Sequence, residues 1–320
     1  MQKSIQVPVE SLEMLEGLRT RQKSISSKFF YDAEGSRIFQ KIMGMPEYYL
    51  TECEAEIFET HKSSIRSVFC SDCCSVDLVE LGAGDGQKTT ILIRELLSQQ
   101  INFRYIPVDI SHEAVSQLEE TMHAKFPDLT IEARVGDYFH MLNDLSKDYP
   151  SRKVVMFLGS NLGNFNREQS IAFLTHLRQS MGADDMLFIG LDLKKEPDLI
   201  LNAYNDPGGH TRDFNLNLLN RMNRELGADF NPERFAHEPL YDAETGAAKS
   251  YLISKMDQEV HFAEIDESIF FKQGERIHTE QSQKYDLDMI QNMAASSGFK
   301  VVENYFDRRR FFVDTLWSIR

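Results

Sequence analysis

Residues 76–89 read VDLVELGAGDGQKT, and this stretch decides the fold of the chain. Its first six residues predict a buried strand, because apolar side chains dominate the run. Glycines follow at positions 82, 84 and 86, and a helical pattern of apolar residues then extends from Lys88 to about Gln99. A strand, a glycine turn and a helix in direct succession form the unit from which parallel sheets with covering helices are built.

The same alternation of short apolar runs and helical patterns continues toward the carboxyl terminus. The predicted strands cover residues 103–108, 129–135, 154–158 and 186–191, and the predicted helices cover residues 112–126 and 167–180. Repeated crossovers of this kind predict an α/β protein with a doubly wound sheet.

The pattern changes after Lys194, which indicates an insertion. A turn sequence, NDPGG, occupies residues 205–209, and a polar segment rich in asparagine follows. Two runs further on, 248–254 and 260–265, predict a pair of antiparallel strands.

The last part of the chain predicts two more strands, 299–305 and 311–319, of which the last returns to the main sheet. The amino-terminal segment needs a packing partner, and the insertion offers one. We therefore predict two domains that are discontinuous in sequence. The main domain comprises residues 53–194 and 284–320, and a second, α+β domain comprises residues 1–52 and 195–283.

Composition excludes several classes of protein. The chain has 320 residues, of which 42% are hydrophobic, enough for a substantial core. A formal charge of −15 would repel nucleic acid. The sequence has neither a signal-peptide pattern nor an apolar run of membrane-spanning length. We expect a cytoplasmic monomer that acts on a small molecule.

The cysteines do not predict a metal site. Cys70, Cys73 and Cys74 are clustered, but no second pair of cysteine or histidine ligands follows at a suitable spacing. Four cysteines in a chain of this size also fit a reducing compartment.

The glycine turn predicts a nucleotide site of a particular kind. Gly82, Gly84 and Gly86 allow the backbone to turn tightly and to approach a ligand closely. A dinucleotide fingerprint would place its third glycine at position 87, where this chain has Gln87. The spacing instead suits a nucleoside without a pyrophosphate, such as S-adenosylmethionine.

Acidic residues follow the next two predicted strands. Asp109 ends the second strand, where a carboxylate accepts hydrogen bonds from ribose hydroxyls, and Asp137 follows the third strand, where it would face the adenine. The competing interpretation is a glycine loop that serves helix packing, with two aspartates that cap helices.

Polar and aromatic residues elsewhere suggest an amine acceptor. The fourth predicted strand runs into FLGSNLGNF, residues 157–165, where the amide of Asn164 could orient an amine. Tyr31 and Tyr48 offer aromatic faces and hydroxyls to a cationic nitrogen. Taken alone, such aromatic residues usually belong to a core.

Seven segments together resemble one family, the histidine-specific methyltransferases that use S-adenosylmethionine and include the histidine Nα-trimethyltransferase of ergothioneine biosynthesis. The resemblance covers residues 28–320 and implies a class I, Rossmann-like methyltransferase fold with a second substrate domain. The segments are KFFYDAEGSRIF (28–39), MPEYYLTE (45–52), VELGAGDGQKT (79–89), IPVDIS (106–111), FLGSNLGNF (157–165), AYND (203–206) and HTEQS (278–282).

The resemblance also implies roles for individual residues. It implies that Asn164 and Tyr31 are the catalytic residues that orient the amine, and that S-adenosylmethionine is the methyl donor without a metal. The implied substrate residues are Tyr48, Asn164 and Tyr204 for the amino and carboxylate groups, and Glu280 and Ser282 for the imidazole. The implied donor residues are Gly82, Gly84, Gly86, Lys88, Asp109, Asp137 and Tyr138.

Ser250 is the position that departs from the family, because the resemblance implies a methionine there in the imidazole pocket. A first alternative is therefore methylation of another amino acid or a small amine. A second alternative is a non-catalytic sensor that binds the donor without turnover. An oxidoreductase that uses NAD is disfavoured by Gln87.

Overall fold

The computed structural model describes residues 9–71, 75–109, 112–136, 138–148 and 151–320. The helices are α1 Val9–Arg19, α2 Ala33–Met43, α3 Leu50–Phe69, α4 Thr89–Ser98, α5 His112–Lys125, α6 Tyr138–Asp148, α7 Arg167–Gln179, α8 Pro197–Tyr204, α9 His210–Leu226 and α10 Leu287–Ser296. The strands are β1 Val76–Leu81, β2 Phe103–Asp109, β3 Arg134–Val135, β4 Arg152–Phe157, β5 Met186–Asp192, β6 Phe235–Asp242, β7 Ala247–Ser254, β8 Gln258–Phe262, β9 Glu267–Phe271, β10 Arg276–Gln283, β11 Phe299–Phe306 and β12 Phe312–Ile319.

Backbone contacts divide the chain into two compact units. One, which we call the sheet unit, comprises residues 50–194 and 284–320. The other, which we call the insertion unit, comprises residues 1–49 and 195–283. The assignment of donor binding to the sheet unit and acceptor binding to the insertion unit stays a prediction.

The sheet unit is built on a seven-stranded sheet in the order β11-β12-β5-β4-β1-β2-β3. Strands β1 to β5 run parallel to one another, and β12 runs antiparallel between β5 and β11. Chain order reverses between β1 and β4, and ligands of such sheets bind at the carboxyl ends of the strands at this reversal. The predicted doubly wound sheet is confirmed.

The central strands of the sheet unit are mostly apolar, as expected where a sheet is buried on both faces. All six residues of β1 are buried, and Trp317 on β12 is fully buried. Core residues include Val79, Ile106, Val155, Ile189 and Val313. This packing holds the strand ends in fixed positions, and the candidate donor residues follow those ends.

The insertion unit contains a three-stranded antiparallel sheet, β10-β7-β6, and a separate hairpin of β8 and β9. Helix α9 contacts α1, α2 and the sheet. Its buried side chains, among them Phe214 and Leu218, share one core with Leu252 of β7 and Ile277 of β10. Apolar residues at helical spacing therefore join the amino-terminal segment to the inserted one.

Two strand predictions were wrong. Within the predicted strand 129–135, only Arg134 and Val135 form β3, and Ile131 makes an isolated bridge. The turn in which the Leu129 N–H donates to the Phe126 carbonyl keeps the start of this segment out of the sheet.

The predicted pairing of runs 248–254 and 260–265 was also wrong. Strand β7 pairs with β6 and β10, whereas β8 ends at Phe262 and pairs with β9. Both runs form strands, but each pairs with other strands of the insertion unit.

The asparagine-rich segment proved to be helix α9, which the sequence did not predict. Its asparagines make tertiary hydrogen bonds, so that polar residues occupy buried positions and obscure the helical pattern. Asn215 and Asn217 are buried, and Asn217 donates to Asp32 at 2.8 Å. Asn223 bonds both the N–H and the carbonyl of Phe230.

The described ranges contain no helix with the length and apolar character of a membrane span.

Candidate active site

The glycine turn after β1 is shaped by three left-handed residues. Gly82, Gly84 and Gly86 have φ angles of +67°, +56° and +63°. A Cβ added at Gly86 would lie 2.5 Å from Met122 Cε, whereas a Cβ added at Gly84 would meet nothing within 4 Å. Gly86 thus allows tight packing on α5, and Gly84 borders open space that leaves room for a ligand.

Asp109 and Tyr138 lie at the same carboxyl edge of the sheet. Asp109 is the last residue of β2 and is half-buried, while Tyr138 begins α6. A Cβ at Gly82 would lie 3.0 Å from Tyr138 Oη, which places this hydroxyl against the glycine turn. Asp137 lies outside the described residues.

The segment that follows β4 also approaches the glycine turn. Gly159 and Ser160 take left-handed conformations, with φ of +72° and +58°, and a 3-10 helix then spans Asn161–Asn164. A Cβ at Gly82 would lie 3.6 Å from Asn161 Nδ2. Asn164, the last residue of this turn, is half-buried. The strand reversal between β1 and β4 therefore brings the predicted amine-binding segment to the glycine turn.

Lys88, at the entry to α4, forms an ion pair with Glu54 of α3. Burial alone would lower the pKa of the Lys88 ammonium, but the attraction of the Glu54 carboxylate outweighs burial and raises it. Lys88 therefore stays charged beside the glycine turn.

A buried carboxyl group lies directly before the turn. Glu80 accepts hydrogen bonds from Thr89 Oγ1 at 2.8 Å and from Tyr105 Oη at 2.6 Å. Burial raises the pKa of Glu80 to about 7, although both hydrogen bonds act in the opposite direction. These bonds tie β1, β2 and α4 together beneath the glycines.

In the insertion unit, a β-bulge determines which way Glu280 points. Strand β10 pairs regularly with β7 up to His278, and the register then shifts so that Glu280 lies opposite Ser250 and Ser282 lies opposite Ala248. An extra residue, Thr279, absorbs the shift. Because residues two apart on a strand share a face, Glu280 and Ser282 lie on the face of Ser250.

Hydrogen bonds fix the bulge and the carboxylate beside it. The Thr279 hydroxyl is a donor within reach of two acceptors, Asn215 Oδ1 at 2.5 Å and the Ser250 carbonyl at 3.0 Å. The buried Ser250 hydroxyl donates to Glu280 Oε2 over 3.4 Å. The structure therefore places Ser250, the position that departs from the family, directly against the predicted ring-binding carboxylate.

Tyr31 lies just before α2 and belongs to an aromatic cluster with side chains of α2 and α9. Its ring meets Phe39 edge-on at 5.5 Å and Phe214 at 5.9 Å, and Phe39 meets Tyr48 edge-on at 6.1 Å. Phe39 thus links both predicted tyrosines. Phe39 ends the KFFYDAEGSRIF segment, but no pattern within that segment distinguishes it from a core residue.

The surroundings of Tyr31 connect it with two other predicted residues. Half of its surface is exposed, yet the protein packed around the phenol disfavours the phenolate and raises its pKa. The carboxylate of Glu280 and the hydroxyl of Tyr204 add to this effect. Tyr204 itself is buried at the end of α8.

Asp32 holds the backbone next to Tyr31. It caps α2 by accepting the Gly35 N–H at 2.7 Å, it accepts a hydrogen bond from Asn217 of α9, and it forms an ion pair with Arg224. These three contacts therefore fix the segment that carries the tyrosine.

The predicted residues thus form two groups, each within its own unit. The sheet unit carries Gly82, Gly84, Gly86, Lys88, Asp109, Tyr138 and Asn164, and the insertion unit carries Tyr31, Tyr48, Tyr204, Ser250, Glu280 and Ser282. The described ranges contain no cluster of three or more side chains able to hold a metal ion. Cys73 and Cys74 lie outside these ranges.

A doubly wound sheet with a reversed β12, and with a glycine turn after β1 that borders open space, defines a class I methyltransferase that uses S-adenosylmethionine. Residues 11–319 match the family described as histidine-specific, SAM-dependent methyltransferases. The chain belongs to this family.

Relatives of known name agree with the family. The histidine N-alpha-methyltransferase of Mycolicibacterium smegmatis is 33% identical, over 89% of this chain and 87% of its own. The enzyme of the same name from Mycobacterium tuberculosis is 32% identical, over 92% and 90%. The ergothioneine biosynthesis protein 1 of Neurospora crassa is 28% identical, over 88% of this chain and 32% of its own.

Proposed function

We propose that this protein transfers methyl groups from S-adenosylmethionine to the α-amino nitrogen of L-histidine and forms the trimethylammonium product, hercynine, in an ergothioneine-type pathway. The observation that carries the proposal is the bulge at Thr279, which turns Glu280 to the face of Ser250 and Ser282. A carboxylate held in this way is a natural acceptor for an imidazole N–H.

The sheet unit has the groups that a nucleoside donor requires. The open side of Gly84 gives room for close approach, Asp109 would accept hydrogen bonds from the ribose hydroxyls, and Lys88 offers a cation to a carboxylate. We assign Asp137 and Tyr138 to the adenine side. When bound, S-adenosylmethionine supplies a methyl group already activated by the sulfonium.

The task of the protein is then to place a neutral amine. Most of a free α-amino group is protonated at neutral pH, and a cationic neighbour such as the sulfonium lowers the amine pKa and increases the neutral fraction. We assign Asn164 and Tyr31 to its orientation, and Tyr48 and Tyr204 to the amino and carboxylate groups. Because the pKa of Tyr31 is raised, its hydroxyl stays protonated and acts as a donor or proton relay rather than as a phenolate base.

Successive methylation removes N–H donors from the nitrogen and adds bulk. Aromatic faces hold an alkylated cation without hydrogen bonds. Tyr31, Phe39 and Tyr48 present such faces in one cluster. This cluster supports the expectation that the reaction continues to the quaternary ammonium.

The test is incubation of the protein with L-histidine and S-adenosylmethionine, followed by mass measurement of the products. We expect a product heavier than histidine by three methyl additions, with the mono- and dimethyl forms as transient species. A product that stops at one or two methyl groups would contradict trimethylation. Donor binding without any product would favour the sensor alternative.

A second candidate acceptor is another amino acid, and Ser250 is the observation that favours it. Serine leaves more room beside Glu280 than the methionine that the family resemblance implies. A screen of the twenty amino acids for S-adenosylhomocysteine formation compares the two candidates. Turnover with another amino acid that exceeds turnover with histidine would replace histidine as the substrate.

A further inference from the structure

Two carboxyl groups meet inside the sheet unit beneath the glycine turn. Glu54 of α3 and Asp314 of β12 are both fully buried. Asp314 lies opposite Gly190 of β5 in the strand register. A Cβ at Gly190 would overlap Glu54 Oε1 and would lie 3.0 Å from Asp314 Oδ1, so both carboxyl groups occupy the space above this glycine.

The two carboxyl groups differ in their hydrogen-bond donors. Glu54 Oε1 accepts the Gly159 N–H at 2.8 Å, and Glu54 Oε2 pairs with the Lys88 ammonium. Neither oxygen of Asp314 has a donor among the described residues. An ionised Asp314 would therefore be a desolvated charge next to a second carboxylate, an arrangement that proteins avoid by keeping one proton.

The charges around this position support the same view. One cation, Lys88, is attracted by three carboxyl groups, those of Glu54, Glu80 of β1 and Asp314. Burial, followed by repulsion from Glu54, raises the pKa of Asp314 well above its usual range, and Lys88 opposes this only in part. Glu80 accepts hydrogen bonds from Thr89 and Tyr105, so Asp314 is not required as a donor to Glu80.

We propose that Asp314 is a protonated positioning residue that donates its hydroxyl to Glu54, so that Glu54 holds Lys88 of the glycine turn and Gly159 of the β4 exit at a fixed spacing. The proposal rests on the proposed function in that Lys88 and the β4 exit serve the donor. A single carboxylate with three donors then ties α3, the glycine turn and the segment that carries Asn164.

The first test measures donor binding by calorimetry with S-adenosylmethionine and no acceptor. Asp314→Asn keeps a hydrogen-bond donor at nearly the same volume, whereas Asp314→Leu keeps the branching at Cγ but has no donor. We expect Asp314→Asn to bind the donor within about threefold of the unchanged protein and Asp314→Leu to bind at least about tenfold more weakly. Equal weakening in both variants, or none in either, would overturn the proposal.

Kinetics give a readout that a merely structural role would not move. Asp314→Leu should raise the donor KM and leave kcat at saturating donor within about threefold, because Asp314 acts on placement and touches no reacting atom. A fall in kcat with an unchanged donor KM would contradict this.

A second measurement does not depend on whether Asp314→Leu folds. The free energy of unfolding of the unchanged protein and of Asp314→Asn is measured across pH 4 to 8. A proton retained only in the folded state makes stability fall as pH rises above the ordinary aspartate pKa of about 4. We expect the Asn variant to gain stability relative to the unchanged protein over this range, and parallel curves would overturn the proposal.

These outcomes are separable from failure of the proposed function. A protein that binds the donor but does not methylate histidine would disprove histidine as the acceptor. The calorimetric and pH comparisons would still test whether Asp314 is a protonated donor to Glu54.

Discussion

At the scale of single residues, the proposed discrimination between histidine and other amino acids rests on Glu280. Its direction depends on the bulge, and its carboxylate is held by Ser250 over 3.4 Å. Glu280 and Ser282 share one face of β10, because they lie two residues apart on the strand. The contact with Ser250 could not be read from the sequence, because the two residues lie on different strands.

Replacement of Glu280 by alanine is expected to raise the histidine KM by roughly 30-fold, because loss of a charged hydrogen bond costs about 2 kcal/mol. Donor affinity should be unchanged. Steady-state kinetics with each substrate varied in turn measure both quantities. Gln281→Ala is the matched control, since Gln281 neighbours Glu280 but points to the other face of β10. An unchanged histidine KM in Glu280→Ala would exclude the ring-binding role.

At the scale of elements, the glycine turn and the bulge act differently. The turn is local: its glycines occur between a strand and a helix that the sequence predicted, and all of them adopt left-handed angles. The bulge is not local, since it depends on pairing with β7 and on the hydrogen bond of Thr279 to α9. For this reason the sequence predicted the turn and missed the bulge.

Two alanine substitutions in the turn should separate packing from ligand binding. Each adds left-handed strain of about 1–2 kcal/mol. Gly86→Ala also forces a Cβ against Met122, which should lower stability by about another 1–3 kcal/mol. Gly84→Ala has open space around it, so it should fold but bind the donor more weakly.

Denaturant unfolding and donor calorimetry on both variants make this comparison. Equal stabilities for the two variants, or full donor affinity in Gly84→Ala, would contradict this account of the turn.

Replacement of Thr279 by valine tests the bulge. Valine lacks the hydroxyl that contacts Asn215 Oδ1 and the Ser250 carbonyl. A regular strand with residue 279 opposite Ser250 would move Glu280 opposite Lys249 and turn it to the other face. We expect the histidine KM to rise, with donor affinity retained. An unchanged histidine KM in Thr279→Val would show that these contacts do not orient the carboxylate.

At the scale of the whole molecule, buried carboxyl groups make stability depend on pH. The pKa of Glu80 is about 7 in the folded state, above its ordinary value of 4.5. A raised folded-state pKa contributes stability that is fully present below pH 4.5 and is lost as pH rises through 7.

Replacement of Glu80 by glutamine removes this pH-dependent contribution to the free energy of unfolding. The variant should therefore gain stability relative to the unchanged protein between pH 4.5 and 7, by at most about 3 kcal/mol. Unfolding curves at several pH values measure the difference, with Glu120→Gln on the exposed surface of α5 as the control. A difference that does not vary with pH would show that Glu80 is ionised throughout.

The sequence by itself determined the doubly wound sheet, the glycine turn and the return of the last strand, because each depends on a periodicity or a spacing within a short segment. The sequence also indicated the family, since the seven matching segments occur in the family's order. Tertiary structure decided the strand partners of β7 and β8, the helix hidden in the asparagine-rich segment, the direction of Glu280 and the meeting of Glu54 with Asp314. These features depend on register and on hydrogen bonds between residues far apart in the chain, where moving a strand by one residue reverses the face of every side chain that follows.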